Sequence, residues 1–383
     1  MDNSATTPVR QEVIEAMSEC MKDDFGNPSS LHWFGRQARR RMETAREQVA
    51  GLIGAEPEEI VFTSGGTEAD NMVMKGVTQQ LRHKGRHVIT SSVEHHAILH
   101  TGEYLEKNGF DVTYLAVDEH GRVDPDHLRH AIGPQTTLVS IMLANNEVGT
   151  IQPIEELAAI CRENGVLFHT DAVQGVGQLD VDVETLGVDF LSLSGHKLYG
   201  PKGVGALYVR RNRRFQPLFH GGGHERRRRA GTENIPGIVG LGLACQLSHE
   251  ELPERREKLV AMRDGLIAGL IERVEDVQLN GHPSERLPNN CNLSFNYVEG
   301  EAMLLNLDLQ GIAVASGSAC TSGSIEPSHV LLAMGVSREL AQGSLRLSLG
   351  SFNCTEDVDY VLETLPPIVD KLRQMSPLYH GKE

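Results

Sequence analysis

The chain has 383 residues, of which 39% are hydrophobic and 23% are charged, and its formal net charge is −16. This length exceeds what one small core needs and favours two domains, or one large domain with an appendage. The acidic balance disfavours direct nucleic-acid binding. Two arginine runs, Arg39–Arg41 and Arg226–Arg229, are local exceptions, and such runs usually mark solvated helix faces or loops.

The sequence indicates a cytoplasmic protein with no membrane partner. No apolar stretch approaches the roughly 18–20 residues needed to span a bilayer. The N-terminal segment MDNSATTPVRQEVIEAM lacks the basic and then apolar pattern of a signal peptide. The six cysteines show no CxxC spacing, so they predict neither a disulfide framework nor a zinc site, and most are expected to be core thiols.

Short apolar runs alternate with helix-length segments along the first 250 residues. Continuous apolar runs of this kind predict buried strands of a mostly parallel sheet, with right-handed connections and helices on both faces. The predicted strands are residues 59–64, 86–92, 136–144, 166–172, 188–194 and 203–211.

The pattern changes near residue 250. A long amphipathic helix is predicted over 251–274, followed by strands over 289–298, 311–316 and 343–350. A closing helix is predicted over 355–375, with Thr355 as its N-cap. We therefore expect a large domain over residues 10–250 and a smaller α+β domain made of residues 251–383 together with residues 1–9.

Polar side chains follow five of the predicted strands, at the edge where ligands bind in open α/β sheets. Each has an ordinary alternative role as a cap, a turn residue or a solvated side chain. The groups, in chain order, are Ser64 to Glu68, Glu94 to His96, Asn145 to Glu147, Asp171 with Gln174, and Ser194 with His196 and Lys197.

Taken together, this set suits pyridoxal phosphate. A glycine-rich helix start can hold the phosphate, a lysine can bond to the aldehyde, and a carboxylate can keep the ring nitrogen protonated. Lys197 is the candidate lysine because it stands at the mouth of a buried strand, where an ammonium needs a partner or a purpose. Lys202, in the turn that follows, is the alternative.

Several segments together resemble the cysteine desulfurases of the NifS/IscS type, and the resemblance covers Asp2 to about residue 350. It implies the fold-type I architecture of pyridoxal-phosphate enzymes, with a seven-stranded large domain, and a homodimer whose active sites lie near the subunit interface. Members of that family usually have a few residues before DNSATTP, where this chain has Met1. The segments are SGGTEADN, EHHAI, NNEVGTIQPI, HTDAVQGVG, SLSGHKLYGPKGVGALYVR, HGGGHERRRRAGTEN and SGSACTSGS.

The resemblance also implies residue roles. Lys197 holds the cofactor, Asp171 pairs with its ring nitrogen, and His95 stacks on the ring as a candidate acid–base partner. Arg346, with Asn146, binds the substrate carboxylate; a strand-surface ion pair is the alternative for Arg346. The other implied cofactor contacts are Gly66, Thr67, Ser194 and His196 at the phosphate, Asn146 and Gln174 near the ring oxygen, and Thr232 at the neighbouring subunit's phosphate.

Residues 315–327, ASGSACTSGSIEP, lack large apolar anchors before Ile325 and predict a mobile loop with Cys320 exposed. The resemblance implies that Cys320 takes the sulfur of L-cysteine as a persulfide, leaving L-alanine, and passes it to an iron–sulfur scaffold of the NifU/IscU type. It also implies that Cys320 can ligate a nascent iron–sulfur cluster shared with that scaffold. Any link to nucleic acid would run indirectly, through tRNA-thiolation enzymes.

Two other classes of function remain open at this point. One is a selenocysteine lyase or another fold-type I enzyme such as an aminotransferase, against which the loop position of Cys320 weighs. The other is a binding module that has lost its chemistry, against which the intact set of Lys197, Asp171, His95 and Cys320 weighs.

Overall fold

A computed structural model describes residues 1–316, 326–377 and 379. Its larger sheet has seven strands in the order β1-β7-β6-β5-β4-β2-β3, and all neighbours are parallel except β7, which runs antiparallel to β1 and β6. The predicted mostly parallel sheet is therefore confirmed. The strands are β1 (Ile60–Thr63), β2 (His87–Ser91), β3 (Asp111–Leu115), β4 (Thr136–Ser140), β5 (Leu167–Asp171), β6 (Phe190–Ser194) and β7 (Gly205–Val209).

The reversed direction of β7 follows from the length of its connection. Only residues 195–204 join β6 to β7, which is fewer than the dozen or more residues that a parallel crossover needs. The connection opens with a 3₁₀ turn, Gly195–Lys197. This turn places Lys197 at the carboxyl edge of the sheet, beside the ends of the parallel strands.

Helices cover both faces of this sheet, because alternate side chains of each strand point to opposite sides. Val61 and Leu207 lie in a core with helices α3 and α4, whereas Phe62 and Tyr208 lie in a core with α2 and α9. No helix in the described ranges is long and apolar enough to cross a membrane. The helices of this part are α1 (Gln11–Asp23), α2 (Trp33–Leu52), α3 (Gly66–Leu81), α4 (His96–Lys107), α5 (Pro125–Ala131), α6 (Ile154–Glu163), α7 (Val183–Leu186), the short turn α8 (His224–Arg227) and α9 (Ile235–Arg273).

A second, antiparallel sheet has the order β10-β9-β8 and its own apolar core. The N-terminus joins this sheet, since Asp2 forms a bridge with Ser348. Its elements are β8 (Val277–Leu279), β9 (Asn290–Phe295), α10 (Gly300–Asp308), α11 (His329–Ala333), α12 (Arg338–Gln342), β10 (Ser344–Ser348) and α13 (Thr355–Met375).

Helix α9 belongs to both cores. Leu241 and Cys245 pack in the core of the large sheet, and Leu259 and Leu266 pack in the core of the small sheet. The helix continues through Pro253 over 39 residues. The domain division near residue 250 stays a prediction, and the polypeptide crosses that position as a continuous helix and not as a linker.

Three strand assignments differ from the sequence analysis, and one of them is the short strand β8, which was not predicted. Strand β3, Asp111–Leu115, was not predicted because it lies at the sheet edge, where four of its five side chains are at least partly exposed and the apolar run is interrupted. The strand predicted over 311–316 is wrong: Ala315 alone forms an isolated bridge with Arg346. That segment pairs with β10 too briefly to continue a ladder.

The predicted N-cap of the last helix is also wrong. Cys354, not Thr355, caps α13, and the backbone N–H of Cys354 donates to Asp357 Oδ2 at 3.2 Å. Asp357 occupies the third helical position, from which a carboxylate reaches back to the N-cap amide. The cap therefore begins one residue earlier than the threonine suggests.

The shared core of α9 gives a stability prediction. Replacing the fully buried Leu266 with alanine should lower the free energy of unfolding by about 2–5 kcal/mol, because the methyl groups leave a cavity. Ile271→Ala, on the same helix but 46% exposed, should cost much less. Urea denaturation followed by circular dichroism measures both, and equal losses would contradict the assigned packing.

Candidate active site

The Lys197 ammonium is held at the edge of the large sheet by main-chain oxygens. Its Nζ donates to the carbonyl oxygens of Ser4 at 2.5 Å and Ala5 at 2.8 Å. Carbonyl oxygens offset part of the cost of removing the ammonium from water. The half-buried amine is thus fixed at the end of β6, where the sequence places it.

The N-terminal segment forms one wall of the site, which the sequence analysis did not assign. Gln174 Nε2 donates to Ser4 O at 2.9 Å, so Gln174 and Lys197 share one acceptor. His196 Nδ1 lies 3.2 Å from Thr6 Oγ1, and the Thr7 amide donates to His196 O at 3.0 Å. The sequence did contain a signal for this wall, because the resemblance to the family begins with the segment DNSATTP.

Asp171 ends β5 and lies buried near Lys197. Its Oδ1 accepts a hydrogen bond from the Val173 amide at 2.9 Å. Burial raises the pKa of Asp171 to about 6, while the Val173 amide and then the Lys197 ammonium oppose that rise. A carboxylate in this position is stabilised further by any positively charged group that enters the site.

His95 is the N-cap of α4, and its Nδ1 accepts from the Ala97 amide at 3.2 Å. Burial, followed by the charges of neighbouring histidines and Lys197, lowers the pKa of His95 to about 4. The ring is therefore neutral near pH 7 and carries its proton on Nε2. His196 has a pKa lowered to about 4 as well, first by burial and then by Lys197 and Lys202.

The start of α3 forms a close-packed cradle. A side-chain carbon on Gly66 would lie 2.6 Å from Val173 Cγ2, so only glycine lets the chain approach here. A side-chain carbon on Gly65 would lie 3.7 Å from Ser194 Oγ, which places Ser194 beside the same helix start. Thr67 is exposed at the next position. These groups converge where backbone N–H groups and the helix dipole favour an anion.

Arg346 and Asn146 contact each other in the structure, and their expected role at the substrate carboxylate stays a prediction. Arg346 Nη1 donates to Asn146 O at 2.9 Å, and Nη2 donates to Asp2 Oδ1 at 3.0 Å. Asn145 fixes the turn that contains Asn146, because its Oδ1 accepts hydrogen bonds from the backbone amides of Glu147 and Val148 at 2.8 and 3.0 Å. Arg346 Nε is buried and has no hydrogen-bond partner among the described residues, so the guanidinium retains a donor.

Two predicted site residues stand apart from this arrangement. Thr232 is exposed and lines a separate small cavity with Ser64. Cys320 lies outside the described residues, so its roles as sulfur acceptor and cluster ligand stay predictions. Among the described residues, no group of three or more His, Cys, Asp and Glu side chains is arranged to hold a metal ion.

The residues present fit pyridoxal phosphate. The α3 cradle matches a phosphate, the buried Asp171 carboxyl matches a protonated ring nitrogen, and the Lys197 amine matches the aldehyde. The neutral ring of His95 can stack on the cofactor without adding a positive charge beside the ring nitrogen. The Arg346 guanidinium matches a substrate carboxylate, which guanidinium groups bind through paired hydrogen bonds.

Comparison with known proteins agrees with this fit. Residues 1–361 match the family described as aminotransferase class-V, and the chain belongs to that family of pyridoxal-phosphate enzymes. Within the family, the chain is 57% identical over 378 residues to "Cysteine desulfurase IscS" of Methanosarcina thermophila, covering 99% of this chain and 93% of the relative. It is thus a member of the cysteine desulfurase branch.

Other relatives support the same placement. "Cysteine desulfurase IscS" of Dictyoglomus turgidum is 55% identical and covers 98% of this chain and 96% of the relative. A solved NifS-like protein superposes with a TM-score of 0.91 at 41% identity, covering 97% of this chain and 99% of that one. The expected fold-type I architecture is therefore confirmed.

Glu94, which follows β2 beside His95, gives a pH prediction. Its Oε1 accepts from Ser91 Oγ at 2.6 Å and the Met142 amide at 3.0 Å, and burial raises its pKa from 4.5 to about 8. The folded protein keeps a proton here that the unfolded chain loses above about pH 4.5. Wild-type stability from this group is therefore lost as pH rises from about 4.5 to about 8.

Glu94→Gln removes that titration while keeping an acceptor. Between pH 5 and pH 9, the stability of the variant relative to wild type should rise by about 1–4 kcal/mol. Urea denaturation across this pH range measures the difference, with the exposed Glu272→Gln as control. A difference that stays constant with pH would show that Glu94 is already ionised in the folded protein.

Proposed function

We propose that this protein removes sulfur from L-cysteine with pyridoxal phosphate, releases L-alanine, and holds the sulfur as a persulfide on Cys320. The observation that carries the proposal is the Lys197 amine held at the sheet edge beside the buried Asp171 carboxyl. The names of the close relatives support cysteine as the substrate.

When bound, pyridoxal phosphate supplies an aldehyde that bonds to amines and a ring that withdraws electrons from the substrate α-carbon. Lys197 would hold the cofactor covalently, and its Nζ would accept the α-proton of the substrate. The Asp171 carboxylate would favour a proton on the ring nitrogen. His95 accepts the Ala97 amide at Nδ1, which leaves its proton on Nε2, and we propose it as the acid–base partner of Lys197.

Arg346 binds the substrate carboxylate, assisted by Asn146. One arm of its guanidinium already contacts Asp2 Oδ1 and another contacts Asn146 O, so its orientation is set before substrate arrives. A substrate carboxylate competes with Asp2 for the same cation. This competition fits a small amino acid that must be both held and released.

Cys320 then accepts the sulfur. A new S–S bond forms between the Cys320 thiolate and the substrate sulfur as the substrate C–S bond breaks, and the electron pair stays with the amino-acid carbon. That carbon takes up a proton and leaves as part of L-alanine. The persulfide sulfur passes to an iron–sulfur scaffold of the NifU/IscU type, and the same thiolate can ligate a nascent cluster there.

The proposed active unit is a homodimer in the cytoplasm. Phe25, Trp33 and Phe34 form an exposed aromatic cluster with ring centroids 5.0 Å apart in each contacting pair, and the neighbouring Leu31 is 88% exposed. An exposed apolar patch of this kind supports an interface with a second copy. The described cysteines are all free thiols, which fits a reducing compartment.

Lys197→Ala tests the cofactor role. The variant should lose the visible absorption of the lysine-bound cofactor, and cysteine turnover should fall by roughly 10²–10⁴-fold because the proton acceptor is missing. Lys202→Ala is the matched control and should keep both. Absorption spectra and alanine formation measure the two effects, and loss of absorption only in Lys202→Ala would reassign the lysine.

Cys320→Ser tests the sulfur transfer. Sulfide release should fall to background while L-cysteine still changes the cofactor spectrum, because binding precedes the attack by the thiolate. Cys354→Ser, which alters the exposed thiol that caps α13, should retain wild-type release. Peptide mass spectrometry after cysteine treatment should locate an extra sulfur atom on Cys320, and wild-type release by Cys320→Ser would refute the role.

A further inference from the structure

The segment that joins β7 to α9 contains an unusual run of backbone. We call residues 224–232 the arginine loop. Glu225, Arg226 and Arg227 are consecutive non-glycine residues with φ angles of 44°, 56° and 65°. Such left-handed angles are unfavourable for side chains with a Cβ, and three in a row persist only where surrounding contacts hold them.

The first contact that holds the arginine loop is a buried ion pair. Glu225 Oε1 and Oε2 accept Arg46 Nη2 and Nη1, each at 2.8 Å, and Oε2 also accepts the Phe62 amide at 2.9 Å. The two side chains are 2% and 4% exposed. The paired geometry fixes both the position and the orientation of the carboxylate, so the loop is locked onto α2 and β1.

A second contact ties the arginine loop to the α3 cradle. Arg229 Nε donates to Glu68 Oε1 at 2.8 Å and Nη2 donates to Glu68 Oε2 at 3.3 Å. Glu68 Oε2 also accepts the Ser64 amide at 2.8 Å. His224 Nδ1 lies 2.9 Å from Glu233 Oε1, which closes the base of the loop.

Thr232 is the last residue of the arginine loop that these contacts hold. A cavity of about 150 Å³ lies between the end of β1 and the arginine loop, and Ser64, Glu225, Arg229 and Thr232 are among its lining residues. Thr232 itself is exposed. The position of an exposed hydroxyl depends on the backbone that carries it. Here that backbone is held by the contacts of Glu225 and Arg229.

We propose that Glu225 and Arg229 are positioning residues that fix Thr232 toward the cofactor phosphate of the neighbouring subunit. The inference rests on the proposed function, which supplies the dimer and the role of Thr232. Each subunit would then stabilise the cofactor of its partner through an ion pair buried in itself. The effect of losing either anchor should appear in the other subunit's site.

Mixed dimers, isolated with two different affinity tags, separate the two sites. In the reference dimer of wild type with Lys197→Ala, only one site carries the lysine-bound chromophore. The first altered dimer pairs a Glu225→Gln subunit with a Lys197→Ala subunit, so the chromophore lies in the Glu225→Gln subunit and its partner contributes an intact arginine loop. The second pairs wild type with a Lys197→Ala/Glu225→Gln double variant, so the chromophore lies in the wild-type subunit and its partner contributes the altered loop. The rate of chromophore loss after dilution into a cofactor trap measures cofactor release from the holoenzyme.

The first altered dimer should release cofactor at the reference rate. The second should release it about tenfold faster or more, as expected for loss of one charge-assisted hydrogen bond. The reverse pattern, acceleration in both dimers, or no acceleration in either would overturn the proposal, because Glu225 would then act within its own subunit, through general destabilisation, or not at all.

Arg229→Gln in place of Glu225→Gln gives the same comparison if the buried variant does not fold, and Arg229→Lys should restore part of the effect. Arg227→Gln is the matched control, because its side chain is exposed on the same loop. The control should leave release unchanged. A reference dimer without a chromophore would overturn the proposed function together with this inference, whereas failure of the inference alone leaves the reference dimer intact.

Discussion

The amine of Lys197 lies where a tight return from β6 to β7 and the carbonyl oxygens of Ser4 and Ala5 meet. The return supplies the position, and the N-terminal segment supplies the acceptors that make the position tolerable for a cation. The other site groups reach the same edge because the carboxyl ends of parallel strands share it. The arrangement of the site therefore depends on the antiparallel strand β7 and on the N-terminal segment that lies against the site.

Burial beneath this edge acts in opposite directions on acids and bases. It raises the pKa of Asp171 to about 6 and of Glu94 to about 8, and it lowers the pKa of His95 and His196 to about 4. Near neutral pH, Glu94, His95 and His196 are therefore uncharged, whereas Asp171 stays mostly ionised. Lys197 and an ionised Asp171 are then the charged groups with which an entering cofactor can interact.

The sequence predicted the parts of the fold that carry strong local signals. Continuous apolar runs gave six strands of the large sheet, while β3 escaped because an edge strand needs no continuous run. Lys197, Asp171 and Gly66 could be placed from the order of strand ends alone. The roles of Ser4 and Ala5 could not, because they act through main-chain carbonyls brought together by contacts across some 190 residues. The spacing of residues in the sequence does not predict such a contact. The same holds for the ion pair between Arg46 and Glu225, which lie 179 residues apart.

Helix α9 connects the sheet that bears Lys197 with the sheet that bears Arg346, and at 39 residues it is about 60 Å long. A continuous helix is stiffer than a flexible linker, so it restricts movement of one sheet relative to the other. Pro253 is the one interior residue of this rod without an amide hydrogen, and a missing hydrogen bond lowers the stiffness there. Bending between the sheet of Lys197 and the sheet of Arg346 is therefore expected first at this proline.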